Sequence, residues 1–324
     1  MANRPIFMVM DENGTIEPLT DDAEEHQSRV EDVGGTSDYE PSLAESAFGS
    51  LTSSIAGHVF EYGRRYHRFN AGLYPLPNDD EECEREHLRH NVLQELVDGK
   101  LLGDGMAEAF PCAQVVGVDL SPVQSVWVPP NLSFRVDDIE GEWKYGKDYD
   151  LVHLRFTASF LRDQDSLLAK AFASLRPGGW LENQDAWPHI TCDDGTIPTD
   201  YAPHRFYELL AATFRERHQW DISYLCRFPA ALERAGFVNV QRRVLHVPIG
   251  EWPRDRKLRV LGCLMREIMA GFMLAVATKP FAEADMDAAE VEDLLNAAAA
   301  AMHNRRIHAY MPIQWIWAQK PPSA

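Results

Sequence analysis

Three carboxylates at the ends of extended runs are the residues whose types and spacing suit chemistry best. Asp119 closes Gln114-Val-Val-Gly-Val and precedes Leu120-Ser121-Pro122, while Asp137 and Asp138 close Leu132-Ser-Phe-Arg-Val136. An acidic residue at such a strand end can accept both hydroxyls of a ribose; Asp119 followed by Leu-Ser-Pro equally suits a helix N-cap. A carboxylate at Asp138 can accept from an exocyclic amine such as adenine's, with the next backbone N–H meeting a ring nitrogen. The alternative there is a solvated turn. The two positions are nineteen residues apart, about one strand-loop-strand excursion, and together they read as an adenosine site.

Two further runs have the same character. In Tyr149-Asp-Leu-Val-His153-Leu-Arg155, one of His153 and Arg155 is expected to point into a crevice and the other into a helix layer. Leu175-Arg-Pro-Gly178-Gly179-Trp-Leu-Glu182 needs glycine for a turn with positive φ and is expected to end a helix and start a strand. Upstream of Gln114, where a glycine-rich turn should stand, there is only Lys100-Leu-Leu-Gly103-Asp104-Gly105-Met106. His204, His218, His246, His303 and His308 lack the His or Cys companions of a metal set, and no serine elbow or Walker loop occurs.

These residues need elements to hold them. Asn78 or Asp79 can cap a helix running to about Val97, and Ser166 to Leu175 places apolar residues on one helical face. Helices are expected at about 203–218, 255–277 and 287–303, the last with Asp287 and Glu290 in a capping-box pattern. Strands alternating with helices predict a parallel, doubly wound sheet. The runs Phe237 to Val247 and Ile307 to Trp317 look antiparallel, and the late helices should cap the substrate side. Trp187, His189, Tyr201 and Trp252 are candidate lining for that cap. The aromatic and basic segment from Tyr62 to Asn78 reads as irregular and packed on a surface.

Bulk properties narrow the function classes. At 324 residues the chain can bury a full core. A formal charge of -19 argues against nucleic-acid binding, which relies on Lys and Arg to neutralise phosphates. Residues 1–55 form an acidic tail expected to be disordered, with twelve Asp/Glu against two Lys/Arg in its first fifty positions; residues 56–324 are expected to form one domain. The tail and the cap are candidate docking segments for a protein partner. Five scattered cysteines point to a reducing compartment, and the short apolar patch Ile6 to Met10 suits neither a signal peptide nor a membrane span. No membrane association is expected, and cytoplasm or nucleus is the expected location.

At this point the residues resemble class I S-adenosylmethionine-dependent methyltransferases, specifically the fungal methyltransferases related to the velvet-complex regulator of secondary metabolism. Tyr66-His-Arg-Phe-Asn-Ala-Gly-Leu-Tyr-Pro-Leu-Pro-Asn-Asp, Val116-Gly-Val-Asp-Leu-Ser-Pro, Asp137-Asp-Ile-Glu-Gly-Glu-Trp and Leu175-Arg-Pro-Gly-Gly-Trp-Leu-Glu carry the resemblance. Ala235-Gly-Phe-Val-Asn-Val, Pro248-Ile-Gly-Glu-Trp-Pro and Arg306-Ile-His-Ala-Tyr-Met-Pro continue it, so that it spans about Tyr66 to Pro321. It implies a Rossmann-like α/β sheet, mostly parallel with an antiparallel last strand, and helical cap insertions. It also implies S-adenosyl-L-methionine as cofactor and a small-molecule or protein methyl acceptor. The expected cofactor-binding set is Gly103, Gly105, Asp119, Leu120, Asp137, Asp138, Ile139 and Arg155, with Asp119 on the ribose and Asp138 with Ile139 at the adenine. No catalytic residue and no metal ligand is assigned.

The chain departs from this family at one place. Relatives put a strand, an Asp/Glu-x-Gly-x-Gly-x-Gly loop and the first turns of a helix between Asp98-Gly-Lys-Leu101 and Met106, on the order of twenty residues that are absent here. A methyltransferase-like chain that binds without turnover, or a sequence from which coding residues have been lost, are the alternatives this opens.

Overall fold

A computed structural model describes residues 57–69, 72, 74–97, 110–121, 128–144 and 146–323. Residues 1–56, and with them the acidic tail, lie outside the described residues, as do Gly103 and Gly105. The chain opens with a hairpin, β1 (His58–Glu61) and β2 (Arg64–His67), paired antiparallel. The sequence suggested irregular structure here; Tyr62 and Gly63, both at positive φ, make the tight connection that four-residue strands are too short to announce. Helix α1 (Asp80–Leu96) follows, its N-cap Asp79 accepting from the Glu82 N–H at 3.1 Å. Arg64 grips the same carboxylate, Nε to Oδ2 at 2.5 Å and Nη2 to Oδ1 at 2.7 Å, so one residue caps the helix and ties it to the hairpin.

Two parallel strands come next, β3 (Val115–Asp119) and β4 (Leu132–Val136), in register from Val115 opposite Leu132 to Asp119 opposite Val136. Gly117 is required here, because a Cβ would lie 2.4 Å from the Phe134 ring that crosses it. A second sheet has the order β5 (Tyr149–Arg155), β6 (Leu175–Ala186), β8 (Tyr310–Gln319), β7 (Val238–Pro248). β5 and β6 are parallel, and β8 enters antiparallel between β6 and β7. The fold is therefore the expected Rossmann-like α/β sheet, mostly parallel with an antiparallel last strand. Among the described residues no strand joins β3–β4 to β5; the pieces are held through the loop after β4. There the Glu140 carboxylate accepts from the Arg162 and Asp163 N–H groups at 2.9 and 3.2 Å, and Lys170 donates to the Glu140 carbonyl.

Helices α2 (Gln164–Ser174) and α4 (Phe228–Arg234) cover one face of the four-stranded sheet. Leu167, Leu168, Ala171, Phe228 and Leu232 bury against Leu154, Leu181, Ile316 and Ala318. β6 begins at Leu175, directly after α2, so Pro177-Gly178-Gly179 lies within the strand; Gly178 at φ +79 sits where the β5–β6 register slips. The larger core cluster gathers α1, α3 (Ala202–Thr213), α5 (Arg256–Val276), α6 (Ala288–His303) and the neighbouring ends of β7 and β8. Capping residues set two of these helices: Asp255 accepts from the Leu258 N–H at 2.9 Å, and Asp287 from the Ala289 and Glu290 N–H groups at 3.0 Å each. Contrary to expectation, Arg256–Phe281 is long and apolar enough to cross a membrane by length and composition. Its buried face, with Leu261, Met265, Ile268, Met269 and Met273, packs in the core cluster instead.

Candidate active site

Parallel pairing puts the ends of β3 and β4 side by side. The Asp137 N–H donates to the Asp119 carbonyl at 2.9 Å, so the ladder continues one step beyond the strands. Each carboxylate turns its own backbone: Asp119 Oδ1 accepts from the Ser121 N–H, Asp137 Oδ1 from the Asp138 N–H and Asp138 Oδ1 from the Glu140 N–H, all at 2.8 Å. Asn78, just before α1, brings its amide 3.2 Å from the Ser121 hydroxyl, joining the helix start to this edge. Ile139 is half-buried, and its carbonyl accepts from Trp143 Nε1 at 2.9 Å. Asp119, Leu120, Asp137, Asp138 and Ile139 thus form one contiguous edge. Leu120 contributes as the link between Asp119 and the turn at Ser121.

Arg155 is the last residue of β5. Residues two apart on a strand share a face, so His153 and Arg155 leave β5 on the same side, not on opposite sides as the sequence suggested. Arg155 Nη1 is 2.7 Å from His90 Nδ1 on α1, and His153 Nδ1 is 3.2 Å from Glu182 Oε1 on β6.

An apolar cavity of ≈ 80 Å³ opens at the C-terminal ends of β5 and β6. In open α/β sheets this is the edge where ligands bind. Phe156, directly after β5, holds a left-handed backbone at φ +50, costly for a bulky residue, and its N–H donates to the Gln184 carbonyl at 2.8 Å. Its ring lines the cavity beneath the Arg89 guanidinium, 3.6 Å from the ring centroid. The cap helices close the space with Tyr207 and Leu210 of α3 and Met265, Met269 and Phe272 of α5. Cap lining was expected from Trp187, His189, Tyr201 and Trp252, but none of the four lines this cavity. Trp252 is 3% exposed and donates Nε1–H to the Ala309 carbonyl, Tyr201 is buried in the core, and Trp187 stacks on His189. Pro188 between them is the lining residue.

One carboxylate reaches the cavity, and sequence reasoning missed it. Asp185, one residue from the end of β6, is 2% exposed. Burial drives its carboxyl from the ordinary range up to about 7, against smaller opposing effects of the Arg89 charge and hydrogen bonds at Ser159 and Ala186. The Ser159 hydroxyl donates to Oδ2 at 3.5 Å. The only local signal was a polar run, Glu182-Asn-Gln-Asp185, inside a strand otherwise expected to be apolar. Among the described residues no group of three or more His, Cys, Asp or Glu is arranged to hold a metal ion.

Comparison with known proteins gives this geometry its context. A family model described as a methyltransferase domain matches residues 98–242. The chain is 33% identical to "Methyltransferase pytC" of Aspergillus terreus, over 87% of this chain and 94% of that protein. It is 31% identical to "Secondary metabolism regulator LAE1" of Cochliobolus heterostrophus, over 82% of this chain and 95% of that one. "Protein-methionine methyltransferase laeA" of Emericella nidulans is 28% identical over 81% of this chain and 76% of its own length. Strand ends bearing paired carboxylates, a capped apolar cavity at the same edge and full-length kinship agree: the chain belongs to the methyltransferase family of fungal secondary metabolism and its regulation, with S-adenosyl-L-methionine as cofactor.

Proposed function

We propose that this chain methylates a small molecule of a fungal biosynthetic pathway, with the cofactor on the β3–β4 edge and the acceptor in the capped cavity. The residues present fit the adenosine half of the cofactor. Asp119 and Asp138 follow adjacent strands joined by the 2.9 Å Asp137–Asp119 backbone hydrogen bond, and half-buried Ile139 supplies an apolar flank and an N–H beside them. Asp119 would accept from the ribose hydroxyls and Asp138 from the adenine amine, while Gly103 and Gly105 are offered for the methionine half. When bound, the cofactor supplies a methyl group on a positively charged sulfur, so positioning the acceptor accounts for most of the rate.

The observation that carries this reading is the apolar lining of the cavity at the C-terminal ends of β5 and β6, where α3 and α5 cap it. Such a site suits a small hydrophobic acceptor better than a polypeptide segment, which needs an open groove for its backbone. Incubation with S-adenosylmethionine labelled on its methyl group, in the presence of an organic extract of a producing fungus, tests it. Label should pass into organic-soluble products. Label found solely on protein, this chain included, would favour a regulator acting on side chains.

A second reading rests on the division of the described strands into β3–β4 and β5–β6–β8–β7. A mid-sheet strand missing from that place lowers affinity for cofactor, leaving a chain that acts through a protein partner at its cap or acidic segment. Titration calorimetry with S-adenosylmethionine separates the two readings. All five cysteines are free, which supports cytoplasm or nucleus as the location.

A further inference from the structure

The capped cavity has a buried carboxylate in an otherwise mostly apolar wall. Asp185 stands at its wall, and two amides lie behind it on the same face of the sheet. Gln314 of β8 is directly opposite Asp185 in the antiparallel register, and Asn183 lies two residues before it on β6. Both amides are 0% exposed, and all four of their side-chain nitrogen and oxygen atoms lack a hydrogen-bond partner. Native interiors satisfy nearly all such atoms; the two amides stand beside Asp185 on the sheet, while Asp185 itself lines the cavity. Among the described residues no lysine or arginine lies within ion-pair distance of Asp185, and the Ser159 hydroxyl donates to it at 3.5 Å.

The surrounding charges are already matched. On α1, Arg85 donates to Glu82 at 2.5 and 2.9 Å and pairs with Glu86, and Arg89 also pairs with Glu86. Tyr207 of α3 contributes a phenol whose ionisation burial opposes, and α5 and β8 present uncharged side chains to the cavity. A ligand therefore meets aromatic walls from Phe156, Phe160 and Phe272 and, among the described lining residues, one carboxylate, Asp185. Flat rings fill such walls well, and the cavity, at ≈ 80 Å³, suits a small ligand rather than a large one.

We propose that the cavity takes a single flat ring carrying an acidic hydroxyl, a phenol or an enol, and that Asp185 is the base that deprotonates it. This rests on the small-molecule reading above. In the step, the ring's O–H bond breaks and its electron pair stays on oxygen. A new O–H bond forms on the Asp185 carboxylate, which passes from −1 to neutral as the ring oxygen takes up the negative charge. That oxyanion is the nucleophile that methyl transfer to oxygen requires. An ordinary carboxylate is too weak a base for a phenol. Burial brings Asp185 to about 7, near working pH, where a general base is most effective.

The test uses 4-fluorophenol followed by fluorine NMR, with 4-fluoroanisole, in which a methyl group replaces the acidic proton, as control. The free phenol stays neutral between about pH 5.5 and about pH 8.5, so any change in affinity over that span belongs to the protein. Binding of 4-fluorophenol should tighten by about tenfold or more as Asp185 ionises. 4-Fluoroanisole should show no such gain, and Asp185→Asn should bind both probes with a flat profile. A flat profile in the unaltered protein, or the same rise with 4-fluoroanisole or in Asp185→Asn, overturns the proposal. The comparison of the two probes on unaltered protein stands even if the variant does not fold. Methyl label reaching small molecules without pH-dependent phenol binding would remove Asp185 alone. Phenol binding with label confined to protein would remove the small-molecule reading and leave the site.

Discussion

Asp185 and Asp119 show how differently the same residue type behaves in two settings. Asp185 carries a pKa raised by burial to about 7, above the value near 4 of an unfolded chain. The folded protein holds a proton that the unfolded chain releases, so stability falls as pH rises from about 4 to about 7 and is level above. Asp185→Asn removes this penalty. Its gain over the parent should be near zero at about pH 4 and reach up to ~4 kcal/mol at about pH 8, measured by urea denaturation. An equal gain at both pH values would mean that charge burial is not the cause. A residue whose removal stabilises the fold is one retained for function. Asp119, by contrast, is exposed. Asp119→Ala should weaken S-adenosylmethionine binding by more than about tenfold, because two ribose hydroxyls lose a charged acceptor worth about 1.5–3 kcal/mol per bond. Asp138→Ala should weaken the cofactor and its demethylated product equally, since adenine is common to both. Titration calorimetry with the two ligands checks this pair, and an effect confined to one ligand places Asp138 near the sulfur.

The start of α1 depends on a single side chain with two duties. Asp79 caps the helix through Glu82 N–H and receives two hydrogen bonds from Arg64, the larger cause of its lowered pKa. A lowered carboxyl pKa contributes stability above the unfolded value, and that contribution is lost as pH falls through the folded one. Asp79→Ala should therefore cost about 1–3 kcal/mol near neutral pH, the sum of a lost cap and a lost charged pair. The difference should shrink in acid. Because α1 also delivers Arg85 and Arg89 to the cavity and His90 to Arg155, the same variant should loosen phenol binding. Denaturation curves at two pH values decide the first expectation. A pH-independent loss would point to the cap alone.

At the scale of the molecule, the described strands divide between β3 and β5, where the family resemblance implies a strand and a glycine loop. A central strand contributes ladder hydrogen bonds on both sides, and the loop's backbone N–H groups form an anion site for the cofactor's carboxylate. Inserting a strand and a Glu-x-Gly-x-Gly-x-Gly loop between Leu101 and Met106 should raise both thermal stability and cofactor affinity. The unmodified chain should bind S-adenosylmethionine more weakly than the low micromolar range. Calorimetry and thermal denaturation on both chains measure this, and low-micromolar binding by the unmodified chain would mean that Gly103-Asp104-Gly105 suffices.

What the sequence determined by itself is what local physical chemistry writes into neighbouring residues. Asp79 and Asp287 announce helix starts because capping acts within three residues, and both helices begin where expected. Val115–Asp119 and Leu132–Val136 announce strands by short extended apolar runs, and their end carboxylates point to an adenosine edge. The hairpin at His58 was lost because four-residue strands carry too little pattern, and His153 and Arg155 share a face because the pleat repeats every two residues. Tertiary structure alone decided the cavity. Its walls come from α1, the turn after β5, α3, α5 and β8, elements more than two hundred residues apart at the extremes. Asp185 differs from any other aspartate in the sequence only through the burial those elements impose. Desolvation is a property of everything packed around a charge, and no spacing along the chain encodes it.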